Sequence, residues 1–167
     1  WLKCSKSPAY FCHTYVRVEN TNKGGWIPFH LWPAQVGVLG ELMIARQLIV
    51  LKARQLGLTW LTLAYALWLM IFRSSSTVLL FSLRDNEAIE LLKRLRGMHT
   101  CLPGWSRCRY VDIASAHEWQ LSNGSRALAF PTTAGRSFSA DFALVDEADF
   151  IPNLSEFLNA VKPTVDA

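Results

Sequence analysis

No pair among the four cysteines, Cys4, Cys12, Cys101 and Cys108, has C-x-x-C spacing. A structural zinc site is therefore not expected, although His13, His99 and His117 lie near them in sequence. No signal peptide is present, so the expectation is free thiols in a reducing cytosol. There is also no hydrophobic run of bilayer length. The longest, "WLTLAYALWLMIF" from Trp60 to Phe72, falls short of the roughly 20 residues that a spanning helix needs. It reads as a buried crossover helix. Charge is scarce: 18% of residues are Asp, Glu, Lys or Arg, against 51% hydrophobic. That balance excludes a disordered chain. The net charge of +4 is compatible with a polyanionic partner without demanding one. An initiating methionine is missing as well. The 167 residues run from Trp1 to Ala167. They suffice for one domain with a real core and read as part of a longer polypeptide.

What is present is an alternation of apolar strands and helices. Residues 1–25 read as an irregular N-terminal segment with one strand in "YFCHTYVRV", ending in the turn "NTNKGG". Residues 26–167 read as one domain, with most of the seven tryptophans in its core. In "WIPFHLWPAQVGVLGEL", Pro33 suits the first turn of a helix whose apolar positions include Val36, Leu39 and Met43. "QLIVLKA", Gln47 to Ala53, has strand length, and a helix follows from about Leu58 to Arg73. "STVLLFSL" is a second buried strand. "RDNEAIELLKRLRGM" is an amphipathic helix N-capped by Asp85, with Ala88, Ile89, Leu92 and Leu95 on one face. "HEWQLSNGSRALAF" reads as a hairpin turning at Asn123-Gly124. "ADFALVDEADF" is a third buried strand, and "LSEFLNAV" is helical. Helices between apolar strands imply an α/β fold with a mainly parallel sheet covered on both faces. Ligands in such sheets sit at the carboxyl ends of the strands.

Two motifs fall at such ends. "KARQLGLT", Lys52 to Thr59, stands where a G-x-x-x-x-G-K-S/T phosphate loop would stand. Gly57 and Thr59 fit that pattern, whereas Leu58 holds the lysine slot and Lys52 the first glycine slot. A phosphate cradle needs converging N–H groups, a cation and a hydroxyl for the metal. Gly57 permits close backbone approach, Thr59 is placed to hold Mg²⁺, and Lys52 and Arg54 are the candidate cations. The second motif, "FALVDE", ends an apolar strand in two acids. In a nucleotide hydrolase Asp146 would hold the metal and Glu147 would polarise the attacking water. Arg136, in the polar loop "TTAGRSFSA", is a candidate arginine finger. Gln35 could pair with adenine N6 and N7, between walls formed by Phe29, Leu31 and Pro33.

Together these elements resemble the N-terminal ATPase domain of the large terminase subunit, the DNA-packaging motor of tailed phages. "PFHLWPAQ" is similar to the family's adenine-reading segment. "KARQLGLT" is similar to its deviant phosphate loop, in which the lysine is often displaced to the start. "LAFPTTAGRSFSADFALVDEADF" is similar to the run into the acidic strand, although Ser137 follows Arg136 where many relatives carry glycine. The resemblance implies a three-layer, RecA-like P-loop NTPase hydrolysing ATP with Mg²⁺. By position it makes Lys52, Ala53, Arg54, Gln55, Leu56, Gly57, Leu58 and Thr59 phosphate-loop residues, with Gln35 at the base. Asp146 and Thr59 become the metal residues, Glu147 the base, and Arg136 a finger acting on a neighbouring subunit. It implies double-stranded DNA, a homo-oligomeric ring on the portal and the small terminase subunit as partners, in the cytoplasm of an infected host and without a membrane. The family's coupling motif and nuclease domain lie beyond these residues.

Two other readings remain open. "DEAD", Asp146 to Asp149, with a glutamine segment upstream resembles an RNA helicase. Such helicases keep a G-K-T loop end, and Leu58 speaks against that. The missing loop lysine also motivates a module that binds nucleotide without hydrolysing it.

Overall fold

The structure, a computed structural model, describes residues 1–20, 24–51, 53, 55–106, 111–134 and 138–165. Two helices, α1 (Leu2–Lys6) and α2 (Pro8–Tyr15), open the chain. They correct the expectation of an irregular segment carrying a strand in "YFCHTYVRV". The Ser7 side chain accepts the Tyr10 N–H at 3.1 Å and Pro8 occupies the first turn, which together start a helix. Only β1 (Arg17–Glu19) is extended, paired antiparallel with β2 (Trp26–Pro28).

Helix α3 (Pro33–Ile44) begins at the proline as expected. Leu39 is buried, but Val36 and Met43 are 45% and 50% exposed. The helix packs on the core through a narrow stripe of Val38, Leu39 and Leu42, so its other apolar positions face outward. The expected strand over Gln47–Ala53 does not form among the described residues. Ile49 and Leu51 stand 79% and 100% exposed. An extended run persists only when a ladder satisfies its N–H and C=O groups, and no described strand pairs with this one.

Helix α4 (Leu58–Phe72) keeps the expected bounds to within a residue and buries every position from Leu61 to Ile71 except Thr62. Next come β3 (Thr77–Ser82) and α5 (Asp85–Thr100). Arg84, not Asp85, is the N-cap of α5, and Glu87 reaches back to the Arg84 N–H at 3.2 Å. Then follow β4 (Val111–Ala114), β5 (Glu118–Leu121), β6 (Arg126–Pro131), β7 (Phe142–Val145), a 3₁₀ turn (Ala148–Phe150) and α6 (Leu154–Val165).

One five-stranded sheet has the order β4-β5-β6-β3-β7. Strand β3 runs parallel to both neighbours, whereas β5 and β4 join antiparallel. The sheet is therefore mixed rather than mainly parallel. The reason is the hairpin at Asn123-Gly124, where Gly124 takes φ +81° and folds β5 back along β6.

The alternation along β3 divides the core. Val78 and Leu80 join α4 and α5 on one face, while Leu79 and Phe81 join Ile151, Phe157 and Val161 on the other. Each such fully buried side chain contributes about 1.5–3 kcal/mol. Cys4, Phe11, Cys12 and Val16 belong to the α4 side of that core, and Trp68 donates its indole N–H to the Cys4 carbonyl at 2.7 Å. Of the tryptophans, Trp68 and Trp119 are buried, whereas Trp1, Trp32 and Trp105 are exposed. Trp26 and Trp60 are half-buried and pack against the core, so four of the seven belong to it or line it. Cys4 and Cys12 are buried free thiols, and Cys108 lies outside the described residues. Among the described residues no helix is long and apolar enough to cross a membrane, and no three His, Cys, Asp or Glu side chains cluster as a metal site would require.

Candidate active site

Strands β3, β6 and β7 run in one direction, so their carboxyl ends share one edge of the sheet. The Asp146 N–H donates to the Phe81 carbonyl at 3.0 Å, which continues the ladder one residue past β7. The Asp146 side chain is thereby fixed at that edge. Helix α4 starts beside it. Thr59 Oγ1 lies 3.2 Å from both Asp146 Oδ1 and Asp146 Oδ2, across 87 positions of sequence.

The described end of the loop before α4, Gln55 to Gly57, turns through left-handed backbone. Gln55 and Gly57 both take left-handed φ, +65° and +67°. Gly57 is the N-cap and has no side chain to occupy the first-turn amides. The N–H groups of Leu58, Thr59 and Trp60 precede the helix's own ladder, whose first bond is Leu61 N–H to the Gly57 carbonyl at 3.0 Å. Such amides suit an anion. A Cβ at Gly57 would lie 3.1 Å from Gln35 Nε2, so a side chain there would press on the Gln35 amide. Leu58 packs against the core, which explains how the lysine slot of the usual motif can hold an apolar residue here.

Gln35 is buried and both ends of its amide are engaged. Its oxygen accepts the Trp32 N–H at 3.0 Å, and its nitrogen donates to the Leu56 carbonyl at 3.0 Å. One lone pair and one N–H remain for a further partner. Phe29, also buried, would lie 4.0 Å from a Cβ at Gly57. The segment that enters α3 and the loop that precedes α4 are thus in direct contact.

Glu147 is exposed and takes φ +51°, with its N–H donating to Asp146 Oδ1 at 3.2 Å. It opens on a groove that the sequence reading missed. Asn86, Glu87, Glu90, Leu91 and Arg94 of α5 line it with Asp146 and Glu147. Arg94 stands 3.7 Å from Glu90 and 5.4 Å from the centroid of the Trp60 ring. The signal was available in the polar face of α5, where Asn86, Glu90 and Arg94 recur at helical spacing.

Thr59, Asp146, Glu147, Gly57 and Gln35 therefore gather at one end of the sheet. Ala53, Gln55 and Leu56 are exposed on the loop. Lys52, Arg54 and Arg136 lie outside the described residues. The donor set fits Mg²⁺. An octahedral ion with bonds of about 2.0–2.1 Å places adjacent oxygens about 2.9 Å apart. The 3.2 Å between the Thr59 hydroxyl and the Asp146 carboxylate is close to that spacing.

No protein-family model matches the chain. Among solved structures, the HK97 bacteriophage large terminase is similar, with a TM-score of 0.74 at 16% sequence identity. The match covers 96% of this chain and 34% of that chain. The chain spans about a third of that terminase's length. Its mixed five-stranded sheet, with helices on both faces and the two motifs at one edge, is a terminase-like α/β fold.

Proposed function

We propose that this chain is the ATP-hydrolysing motor domain of a phage terminase large subunit, a P-loop ATPase of the RecA-like class. The observation that carries the reading is the meeting of Thr59 and Asp146 at the carboxyl edge of a terminase-like sheet. The amides of the first α4 turn and the bare Gly57 backbone hold the phosphates of ATP. Thr59 and Asp146 hold Mg²⁺, which supplies charge neutralisation to the phosphates when bound. Glu147, exposed beside Asp146, orients and deprotonates the attacking water. Lys52 or Arg54 provides the loop's cation, and Arg136 acts as the finger on a neighbouring subunit. Gln35 reads the adenine with its remaining lone pair and N–H. Hydrolysis drives double-stranded DNA into a procapsid from a ring on the portal, alongside the small terminase subunit, in the host cytoplasm.

The test is Mg²⁺-dependent phosphate release by the full-length protein, with and without Glu147→Gln. The variant should bind ATP and release phosphate about 100-fold or more slowly, the usual worth of a general base. Equal turnover would remove Glu147 from that role. Tight binding with no turnover in the unaltered protein would favour a nucleotide-binding module. Unwinding of RNA duplexes would favour a helicase.

A further inference from the structure

Three hydrogen bonds among the described residues tie down the segment between β2 and α3. The Phe29 N–H donates to the Val16 carbonyl at 3.0 Å, just past α2. The Trp32 N–H goes to Gln35. Between them, the Leu31 N–H donates to Nδ1 of His13, on α2, at 3.1 Å. Of these three bonds only the last has a titratable acceptor. A backbone N–H can only donate, so Nδ1 must present a lone pair and the imidazole is neutral with its hydrogen on Nε2. Protonation would place a hydrogen on Nδ1, facing the Leu31 N–H, and turn the bond into a repulsion.

His13 is exposed, so protons reach it. The His30 ring stands 5.2 Å from its own, tilted by 59°. The two histidines are not a ready metal site. A metal on Nε2 of His13 would require the hydrogen on Nδ1, where the Leu31 N–H already points. Few other titratable groups sit on the elements packed against α2. These are Lys3, Cys4 and Lys6 on α1, Glu41 on α3, Tyr65 on α4 and His30 in the segment after β2. Helix α2 itself adds Tyr10, Cys12 and Tyr15. Glu41 is the one carboxylate among them.

We propose that His13 is a positioning residue for the base-side wall of the nucleotide site, and that it holds this wall only while its imidazole is neutral. The proposal rests on the ATP-site reading above. The linkage is a chain of contacts. His13 fixes Leu31, Leu31 adjoins Trp32, Trp32 bonds Gln35, and Gln35 bonds Leu56 in the phosphate loop. Acidification should loosen the start of that chain and weaken nucleotide binding.

The experiment measures equilibrium binding of Mg²⁺-ATP to the full-length protein at about pH 8 and about pH 5.5, which bracket the usual histidine transition. The protein as it stands should lose about fivefold in affinity at the lower pH, the worth of one ordinary hydrogen bond. His13→Asn retains an acceptor oxygen near the Nδ1 position and cannot titrate. It should keep the affinity of neutral His13 and lack this loss. His13→Ala should bind weakly at both pH values, and His30→Asn should keep the loss. Protonation of ATP itself is common to all four proteins, so the comparison with His13→Asn is the quantity read. An equal loss in His13→Asn would overturn the proposal. Without nucleotide, the Leu31 amide resonance should titrate in the unaltered protein and stay fixed in His13→Asn. A Leu31 amide that does not move would overturn the proton switch alone. Absence of ATP binding at every pH would overturn the nucleotide site itself.

Discussion

The Gln35 side chain donates to the Leu56 carbonyl at 3.0 Å, across 21 positions of sequence. The start of α3 is thereby clasped to the loop that precedes α4. Gln35→Glu keeps the shape and the bond to Trp32 but replaces the donor with a carboxylate facing a carbonyl. A buried unpaired group of that kind costs about 1–3 kcal/mol. The expected result is that loss in urea unfolding, together with weaker ATP binding. Full stability in the variant would show that the clasp contributes nothing.

Gly57 should tolerate no side chain. At φ +67° an alanine adopts a left-handed conformation costing about 1–2 kcal/mol, and its Cβ meets Gln35 Nε2 at 3.1 Å. Gly57→Ala is expected to lower the melting temperature and to reduce ATP affinity. In the background of Gln35→Ala the contact disappears while the φ cost stays, so part of the loss should return.

Thr59 and Asp146 should behave as one unit. If both hold the same ion, Thr59→Val and Asp146→Asn should each remove most Mg²⁺-dependent turnover. The double variant should then be barely worse than Asp146→Asn alone, because a shared function is lost only once. Phosphate release over a Mg²⁺ titration measures this. Losses that multiply would mean that the two side chains act independently and do not hold one ion.

Burial pushes the Cys12 thiol up from its ordinary range, and the same cause raises Cys4. The sign follows from proton binding. Above about pH 8.5 an unfolded thiol loses its proton while the folded one keeps it. The unfolded state then binds fewer protons, so stability falls as pH rises. Urea unfolding at about pH 7 and about pH 10 should show this fall. Cys12→Ala should flatten it, at the expense of lower stability throughout. Iodoacetamide should label Cys12 only after denaturation.

The positions of Gly57, Thr59, Asp146 and Glu147 at one edge of the sheet were legible because the elements that set them are local. A glycine before an apolar helix, an acid pair after an apolar strand, and the Asn123-Gly124 turn all act through nearest neighbours in sequence. The helix at Pro8 was signalled locally too, by Ser7 as N-cap and the proline in its first turn, but the β-branched and aromatic residues that follow read as a strand. Gln47–Ala53 failed for a different reason. Apolarity gives a run its preference for burial, but only a neighbouring strand gives it a ladder. The exposure of Val36 and Met43 was likewise unreadable, because helical period identifies an apolar position without saying what packs against it. The groove beside Glu147 was hidden because a polar helix face looks the same whether it borders a site or bulk water.

Glu147 sits in the left-handed region at φ +51°. For a residue with a side chain this conformation costs roughly 1–2 kcal/mol, whereas glycine's extra freedom when unfolded costs it roughly 0.5–1. Glu147→Gly should therefore melt no lower than the parent protein, and up to a few degrees higher. Selection for thermal robustness alone would drift toward that substitution and silence the proposed base. If Glu147 is the base proposed above, the durability of this fold and its turnover are set in opposition at a single backbone angle.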